Sequence, residues 1–250
     1  MKPDHFEKLL VLYGRKPVLE ALMDASLDCR TLHLASSNRS AGILKEIVDY
    51  AKSRDILIRE HTREALGRLS KNKKQDQGVA LDIRCPSFMS IEQFLSAPID
   101  SATRVLALDG VTNPQNVGMI IRSAVASGIG GILYPRKGVA SLGPLVIKAS
   151  AGTLFKAPII SCETLAPALR QCLENGLDIV ALDGAAPDSL FGDRPSRAAV
   201  YVLGGETHGV SDATRSLATR SLSIPMAGGV ESLNVAVTAA LIGYAAQIAP

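Results

Sequence analysis

Three short segments of this 250-residue chain combine polar side chains with glycine or proline, the residue types from which binding and catalytic loops are built. In the first segment, Asn113 and Pro114 predict a turn, and Asn116 could cap the helix that follows. Arg122 falls among apolar positions of that helix, where a buried charge without a partner is unfavourable. Arg122 therefore either forms a structural salt bridge or clamps an anion such as phosphate, whose oxygens match the planar guanidinium.

The second segment, Val202–Val210, reads as an apolar strand that ends in two glycines, with Glu206 at the tip of the turn. Glycine lets the backbone turn sharply or approach a ligand closely, although many such turns have no function. The spacing does not match the Gly-x-Gly-x-x-Gly fingerprint of dinucleotide sites. His208 follows, and a lone histidine of this kind is more often a loop residue than a base or a ligand.

The third segment is a predicted strand that ends at Pro225, a glycine loop, and the start of the last helix. Ser232 is expected to cap this helix. Asn234 stands at the mouth of the helix, where its amide could bind a ligand or a neighbouring loop. The helix is apolar and small on nearly all faces, which predicts that it is buried.

The elements around these segments alternate between strand and helix. The predicted strands, several of them continuous apolar runs, are Val105–Leu108, Gly131–Tyr134, Pro158–Ser161, Ile179–Leu182, Ala199–Leu203 and Ser221–Ile224. The predicted helices are Val117–Ser127, Pro144–Ser150, Leu165–Glu174, Ser211–Ala218 and Ser232–Gln247. This alternation predicts an α/β fold with a mainly parallel sheet, and the three segments would meet at the carboxyl ends of its strands.

Residues 1–84 read as a smaller, mixed α/β domain. Its predicted helices are Pro17–Ala25, Ser40–Ser53 and Thr62–Leu69, and its predicted strands are Thr31–Ala35, Ile56–Ile58 and Gly78–Ile83. Residues 85–103 hold two prolines and several small polar residues, which predict a linker with one short helical turn. The larger domain would then span residues 104–250.

Positive charge is concentrated in the first domain. Residues 1–84 carry 16 Lys/Arg against 12 Asp/Glu, whereas the rest of the chain has a net charge of −1. Six basic residues lie close together in the chain: Arg59, Arg63, Arg68, Lys71, Lys73 and Lys74. They could contact phosphates, or they could equally form a solvated helix and loop. The overall charge of +3 neither establishes nor opposes a nucleic-acid partner.

Composition excludes several classes of protein. A chain that is 47% hydrophobic and 20% charged is neither disordered nor a coiled coil nor collagen-like. The four cysteines show no Cys-x-x-Cys spacing, so we expect no metal and buried, reduced thiols, Cys162 and Cys172 included. The longest apolar run, Val235–Ala246, is too short for a membrane span, and the first residues do not resemble a signal peptide. The sequence thus predicts a soluble, cytoplasmic protein without membrane contact.

In this order, the three segments resemble the signature motifs of the SPOUT superfamily and, more narrowly, of the TrmH (SpoU) family of RNA ribose 2′-O-methyltransferases. The matching patterns are Asn-Pro-Gln-Asn-x-Gly-x-x-x-Arg-Ser-Ala, Leu-Gly-Gly-Glu-x-x-Gly and Ile-Pro-Met-x-Gly-x-x-x-Ser-Leu-Asn-Val. The resemblance covers about residues 103–248. Gly14–Leu22 and Gln75–Ala80 resemble parts of the RNA-binding domain that precedes the catalytic domain in many members.

The resemblance implies a fold, a cofactor and a site. The fold would end in a deep trefoil knot, and S-adenosyl-L-methionine (AdoMet) would be the methyl donor. Its contacts would come from Leu203, Gly204, Gly209, Ile224, Met226 and Leu233. The catalytic residues would be Arg122, assisted by Asn116, Glu206, Ser232 and Asn234. Members are homodimers, and RNA would be the substrate, with large-subunit ribosomal RNA as first choice and tRNA as second.

The sequence departs from the family pattern in places, and other functions remain open. Thr207 adds a side chain where glycine is usual, and Ala236 replaces a frequent serine. A non-catalytic RNA-binding protein with the same fold is one alternative. A hydrolase that uses Asp109, Glu206 and His208 is another, but the chain has no Gly-x-Ser-x-Gly nucleophile elbow.

Overall fold

The structure is a computed structural model, and it describes residues 9–38, 41–193 and 196–248. The chain divides into two compact units. The first runs to Pro86 and includes Leu142–Pro144, and the second comprises Ser87–Ser141 and the chain from Leu145 onward. Each of the two units has its own sheet.

The first unit holds a four-stranded mixed sheet within its described residues. Its strands are β1 (Leu9–Tyr13), β2 (Asp28–Ala35), β3 (Leu57–His61) and β4 (Val79–Arg84). Its helices are α1 (Arg15–Met23), α2 (Ile43–Ser53) and α3 (Arg63–Ser70). The strand order is β1-β4-β2-β3, with β4 antiparallel to both of its neighbours and β2 parallel to β3. The mixed α/β prediction is confirmed, although the sequence analysis did not identify β1.

Local sequence accounts for the helices of this unit. The side chain of Thr62 accepts a hydrogen bond from the Ala65 N–H (3.2 Å), so the predicted cap of α3 is confirmed. In α2, Leu44, Ile47 and Ala51 are buried at helical spacing. These contacts explain why both helices form close to their predicted positions.

The second unit holds a seven-stranded sheet, in which every pair of neighbours among the described residues is parallel. Its strands are β5 (Met89–Ser90), β6 (Arg104–Asp109), β7 (Gly131–Pro135), β8 (Ile159–Cys162), β9 (Asp178–Leu182), β10 (Ala199–Gly204) and β11 (Arg220–Leu222). Its helices are α4 (Ile91–Ser96), α5 (Pro114–Ala126), α6 (Pro144–Ala149), α7 (Leu165–Glu174), α8 (Asp212–Arg215) and α9 (Val235–Ile248). Two short 3₁₀ helices span Thr153–Lys156 and Leu190–Gly192.

The strand order β11-β9-β10-β6-β7-β8-β5 decides which loops meet. β6 and β10 are neighbours, although their paired residues, such as Val105 and Val200, are 95 positions apart in the chain. Residues Val105–Leu108 of β6 are at most 1% exposed, which agrees with the continuous apolar run expected of a parallel strand covered on both faces. The carboxyl ends of β6, β10 and β9 therefore lie side by side, and the loops that follow them converge there.

Several predicted boundaries differ from the structure. Residues 85–103 were expected to be a linker with one short helical turn. That turn is present as α4, which Ser90 and Gln93 cap reciprocally, but the segment also contains β5, which pairs with β8. The predicted helix Ser211–Ala218 is reduced to the single turn of α8. Short polar segments of this kind carry little periodicity, so only their contacts with the sheet decide their conformation.

All four cysteines are free thiols, and Cys162 and Cys172 are buried as predicted. Burial raises the pKa of the Cys172 thiol to about 11. Within the described residues, no helix is long and apolar enough to cross a membrane. The same residues contain no group of three or more His, Cys, Asp or Glu side chains that could hold a metal ion.

Candidate active site

Helix α5 begins with a local cap that differs from the prediction. The side chain of Asn113 accepts a hydrogen bond from the Gln115 N–H (2.9 Å), and Pro114 is the first helical residue. Asn116, which was predicted to cap the helix, instead lies inside its first turn and is only 5% exposed. Its amide is therefore free to bond with other parts of the unit.

Asn116 joins the three segments that the sequence analysis selected. Its Nδ2 donates a hydrogen bond to Oε1 of Glu206, in the turn after β10. Its Oδ1 accepts a hydrogen bond from Nδ2 of Asn234, at the start of α9 (3.1 Å). We call Asn116, Glu206 and Asn234 the polar cluster. It holds a carboxylate and two amides in one fixed arrangement beside the carboxyl ends of β6 and β10.

Asn234 also begins α9. Its carbonyl accepts from the Thr238 N–H (3.0 Å), and its Oδ1 accepts from the Ala236 N–H (2.8 Å). Asn234, rather than Ser232 as predicted, is therefore the cap, and Ser232 is exposed two residues earlier. The prediction that α9 is buried on nearly all faces is also wrong, since Val237 is 48% exposed.

The turn after β10 is tight because it consists largely of glycine. The Gly209 N–H donates to the Gly205 carbonyl (2.9 Å), which closes the turn. A Cβ atom at Gly204 would overlap the backbone of Gly209, and one at Gly205 would overlap the carbonyl of Gly110 after β6. Only glycine allows this approach, so the loops after β6 and β10 lie directly against each other.

A cavity of about 550 Å³ lies at this turn. Its lining combines apolar side chains, glycines and a few polar groups: Leu182, Val202, Leu203, Gly204, Gly205, Glu206, Gly209, Val210, Arg215, Ser232, Leu233, Asn234, Val235 and Thr238. A cavity of this size and character suits a small organic ligand. It lies at the carboxyl ends of β9 and β10, where ligands bind in parallel α/β sheets.

Most of the predicted cofactor and catalytic residues meet at this cavity. Leu203, Gly204, Gly209 and Leu233 line it, together with Glu206, Ser232 and Asn234. Ile224 and Met226 follow β11 and are not among its lining residues. The assignment of these two residues to a cofactor stays a prediction.

Arg122 lies on α5, two turns after Asn116, and its side chain is exposed. Within the described residues it has no ion pair or hydrogen bond, so the structure shows no salt bridge for Arg122 there. One turn earlier on the same side of α5, Gly118 contacts the end of α6. A Cβ there would overlap that of Ala149 and lie 2.7 Å from the Val146 carbonyl oxygen. Because Gly118 has no side chain, this face of α5 packs directly against α6, and that contact fixes the position of α5.

Several lining residues were not predicted from the sequence. Leu182 ends a predicted strand, so its place beside β10 could have been found only from the order of the strands. Arg215 and Thr238 lie in predicted helices, and no spacing in the sequence marks them. Asp109 is also part of the local architecture, because its Oδ2 accepts the Ser211 N–H (2.8 Å) beyond the glycine turn.

In the first unit, one of the basic residues, Arg63, binds a buried carboxylate. Asp76 has no exposed surface, and it accepts hydrogen bonds from Arg63, from the Ser70 hydroxyl (2.8 Å) and from the Gly78 N–H (2.9 Å). Burial alone would raise the pKa of Asp76, but these hydrogen bonds outweigh it and hold the pKa below its ordinary value. Asp76 therefore stays ionised and fixes residues 71–78, which we call the basic loop. Arg63 is part of this anchor, whereas Lys71, Lys73 and Lys74 are exposed.

Two family models match the chain. Residues 103–244 match a model described as the SpoU rRNA methylase family. Residues 11–89 match a model described as RNA 2′-O ribose methyltransferase substrate binding. A protein of Mycobacterium ulcerans named as an uncharacterized tRNA/rRNA methyltransferase is 34% identical over 233 residues, which are 92% of this chain and 74% of that protein.

Solved structures of similar fold cover nearly the whole chain. The SpoU methyltransferase AviRb from Streptomyces viridochromogenes, solved in complex with AdoMet, has a TM-score of 0.63 and 23% identity. A TrmH-family protein from Porphyromonas gingivalis has a TM-score of 0.62 and 25% identity. Each match covers 96% of this chain and 89% of the other.

Proposed function

The chain belongs to the SpoU rRNA methylase family and is an RNA methyltransferase, and we propose that it methylates a ribose 2′-hydroxyl. The description of the model that matches residues 11–89 supports this choice of acceptor. Large-subunit ribosomal RNA is the proposed substrate, and tRNA is the second candidate because the Mycobacterium ulcerans relative is named for both RNAs. The family uses AdoMet as its methyl donor.

The cavity at the glycine turn fits AdoMet. Its volume suits a ligand of this size, and its apolar side chains and exposed backbone suit an adenosine group that is held without charge. We assign Leu203, Gly204, Gly209 and Leu233 to this ligand, and Ile224 and Met226 stay further candidates from the loop after β11. When bound, AdoMet supplies an electrophilic methyl group on a sulfonium.

The proposal rests on the polar cluster. The cluster joins the amides of Asn116 and Asn234 to the carboxylate of Glu206 at the rim of the same cavity. Asn234 fixes the amide of Asn116, and Asn116 fixes the carboxylate of Glu206, which can accept a hydrogen bond from a ribose hydroxyl. Ser232, which lines the cavity and is exposed, can donate to the ribose or to a phosphate.

Arg122 completes the proposed site. Its guanidinium is exposed and has no partner among the described residues, so its donors are available to RNA. Arginine stays protonated in proteins, and we therefore assign it a role as phosphate clamp and stabiliser of the negative charge that develops on the 2′-oxygen. The proton of the hydroxyl would pass to the RNA phosphate or to water.

The first unit is proposed to bind the RNA through its exposed cations. Lys71, Lys73 and Lys74 are exposed on the basic loop, and the buried Asp76 keeps that loop in one conformation. Ordered cations match the phosphate backbone, which supplies most of the sequence-independent affinity for nucleic acids.

We also propose the homodimer and the knot that the family resemblance implies. Val237 and Tyr244 of α9 are 48% and 41% exposed, and such an apolar face on a helix favours association. Sedimentation of the wild type beside a Val237→Glu variant tests this proposal. A wild type that sediments as a monomer would contradict it.

The experiment that tests the function is the transfer of labelled methyl from AdoMet to separated tRNA and unmodified ribosomal RNA, beside Arg122→Ala. Arg170→Ala serves as the matched control, because Arg170 is exposed on α7 of the same unit. Three results together would support 2′-O-methylation: one of the two RNAs is labelled, the label is lost in Arg122→Ala but not in Arg170→Ala, and the labelled RNA gains one site that resists alkaline cleavage. Label on a base would contradict it, and binding of RNA without binding of AdoMet would favour the non-catalytic alternative.

A further inference from the structure

Arg215 is the one basic side chain among the described residues that line the cavity, and Glu206 is the one acidic side chain. Glu206 is bonded to α5, which follows β6. Arg215 instead pairs with Asp183, which follows β9. Because β6 and β9 lie on opposite sides of β10, the acidic side chain and the basic side chain are tied to opposite sides of the cavity.

The backbone of Arg215 is held firmly at the rim of the cavity. The Ser211 N–H donates to Asp109 (2.8 Å), which ties the start of α8 to the end of β6. The Ser211 hydroxyl donates to the hydroxyl of Thr214 (3.1 Å), a residue that is only 2% exposed. The Arg215 N–H then donates to the Ser211 carbonyl (2.8 Å). These bonds fix where the side chain of Arg215 begins.

The guanidinium of Arg215, by contrast, is held only by one long ion pair with Asp183 among the described residues. Its Nη1 lies 3.7 Å from Oδ2 of Asp183, too far for a hydrogen bond, and the side chain is about half exposed (53%). The guanidinium makes no hydrogen bond with any described residue. The other oxygen of Asp183 accepts the Ala185 N–H (2.9 Å). The planar fork of donors on Arg215 is thus available to an anion, and a carboxylate matches its geometry.

We propose that Arg215 binds the carboxylate on the amino-acid arm of AdoMet and of S-adenosylhomocysteine. The inference rests on the proposed function, because it takes the cavity as the AdoMet site. The carboxylate is the one anionic group of these ligands. The ammonium and the sulfonium would be repelled by a guanidinium, and the adenosine is neutral. Arg215 would therefore select ligands whose amino-acid arm is intact.

The test is calorimetric binding of two probes that do not react, S-adenosylhomocysteine and 5′-methylthioadenosine, which lacks the amino-acid arm. We expect Arg215→Ala to weaken binding of S-adenosylhomocysteine about tenfold, as for the loss of a charge-assisted hydrogen bond at a half-exposed site, and to leave 5′-methylthioadenosine unaffected. Arg215→Lys should restore part of the affinity. Arg170→Ala, the matched control on α7, should change neither.

A second variant is expected to strengthen, rather than weaken, the binding of S-adenosylhomocysteine. Asp183→Asn keeps an acceptor for the Ala185 N–H but removes a negative charge beside the proposed carboxylate. We expect it to strengthen binding of S-adenosylhomocysteine about threefold, since like charges close together disfavour each other, with no change for 5′-methylthioadenosine. Weaker binding of S-adenosylhomocysteine by Asp183→Asn would contradict the inference.

The remaining outcomes separate this inference from the proposed function. If Arg215→Ala lowered the affinity for both probes equally, Arg215 would shape the cavity rather than bind the carboxylate. If the affinity for S-adenosylhomocysteine were unchanged, Arg215 would instead be available to bind an RNA phosphate. Either result overturns the inference while the cofactor site stands. A wild type that binds neither probe would overturn the inference together with the proposed cofactor site.

Discussion

The first unit fixes its exposed cations with a buried carboxylate, whereas the main candidate cation of the second unit has no partner among the residues that the structure describes. Asp76 is fully buried and binds Arg63, so the lysines of the basic loop are displayed on a rigid frame. Arg122 stands exposed on α5, and what is fixed there is the helix, through the contact of Gly118 with α6.

The difference follows from what each site has to do. Binding a phosphate backbone requires several ordered cations but no particular reacting atom. Catalysis requires a charge that is unpaired until the substrate arrives, because only interactions that strengthen in the transition state accelerate the reaction. A salt bridge suits the first task and would hinder the second.

The largest expected effect comes from removing the unpaired cation. Arg122→Ala should lower kcat for methyl transfer by about 10²- to 10³-fold, as for the loss of one preorganised stabiliser of a developing oxyanion. Because Arg122 forms no hydrogen bond or ion pair with the described residues, the melting temperature and S-adenosylhomocysteine affinity should not change. Single-turnover methyl transfer measures this. If the melting temperature of Arg122→Ala fell far enough to account for the loss of activity, the assigned role would be contradicted.

The next effect concerns the buried anchor of the first unit. Asp76→Asn should lower the free energy of unfolding by about 3 kcal/mol, because Arg63 and two further donors lose a charged acceptor. Hydrogen exchange in β4 should rise, while Asp49→Asn, an exposed carboxylate on α2, should leave it unchanged. Unchanged exchange in Asp76→Asn would show that the basic loop does not depend on this carboxylate.

The lowered pKa of Asp76 adds a pH dependence with a definite sign. A carboxyl whose pKa is lower in the folded state stabilises the fold fully above its unfolded pKa of about 3.9. This stabilisation is lost as the pH falls from there through the folded pKa. In urea unfolding experiments monitored by hydrogen exchange in β4, acid should therefore destabilise the wild type more than it destabilises Asp76→Asn. The same acid dependence in both proteins would assign it to other groups.

A smaller effect is expected where packing rather than charge positions the site. Gly118→Ala places a methyl group against Ala149 and the Val146 carbonyl, so α5 must shift and carry Arg122 with it. We expect kcat to fall about tenfold or more, since small misplacements of catalytic groups are costly, while KM for AdoMet changes little. Gly118→Ala combined with Ala149→Gly should recover part of kcat. An unchanged kcat in Gly118→Ala would show that this contact does not position Arg122.

The smallest effects belong to the individual lysines. Lys73→Ala and Lys74→Ala should each weaken RNA binding about threefold and reduce the salt dependence of binding by about one unit of slope. Lys52→Ala, an exposed lysine on α2, is the control. Measurements of RNA binding at several salt concentrations decide this, and an unchanged slope for both variants would assign the lysines to a solvated loop.

The sequence alone predicted the alternation of strand and helix. Its buried strands could be recognised because a parallel strand covered on both faces requires a continuous apolar run such as Val105–Leu108. It also identified the three loops and the glycines that let them approach. The sequence could not show that Asn113 rather than Asn116 caps α5, since both residue types suit a cap and only the position of the helix start decides between them.

Only the tertiary structure brought Asn116, Glu206 and Asn234 together, because the order β9-β10-β6 unites residues that are distant in the chain. It likewise placed Arg215 on the cavity and left Arg122 exposed, outcomes that depend on packing between elements rather than on any local pattern. A side chain's type and spacing follow from the sequence, but its neighbours follow from the topology of the sheet, and the neighbours decide whether a charge is paired or free.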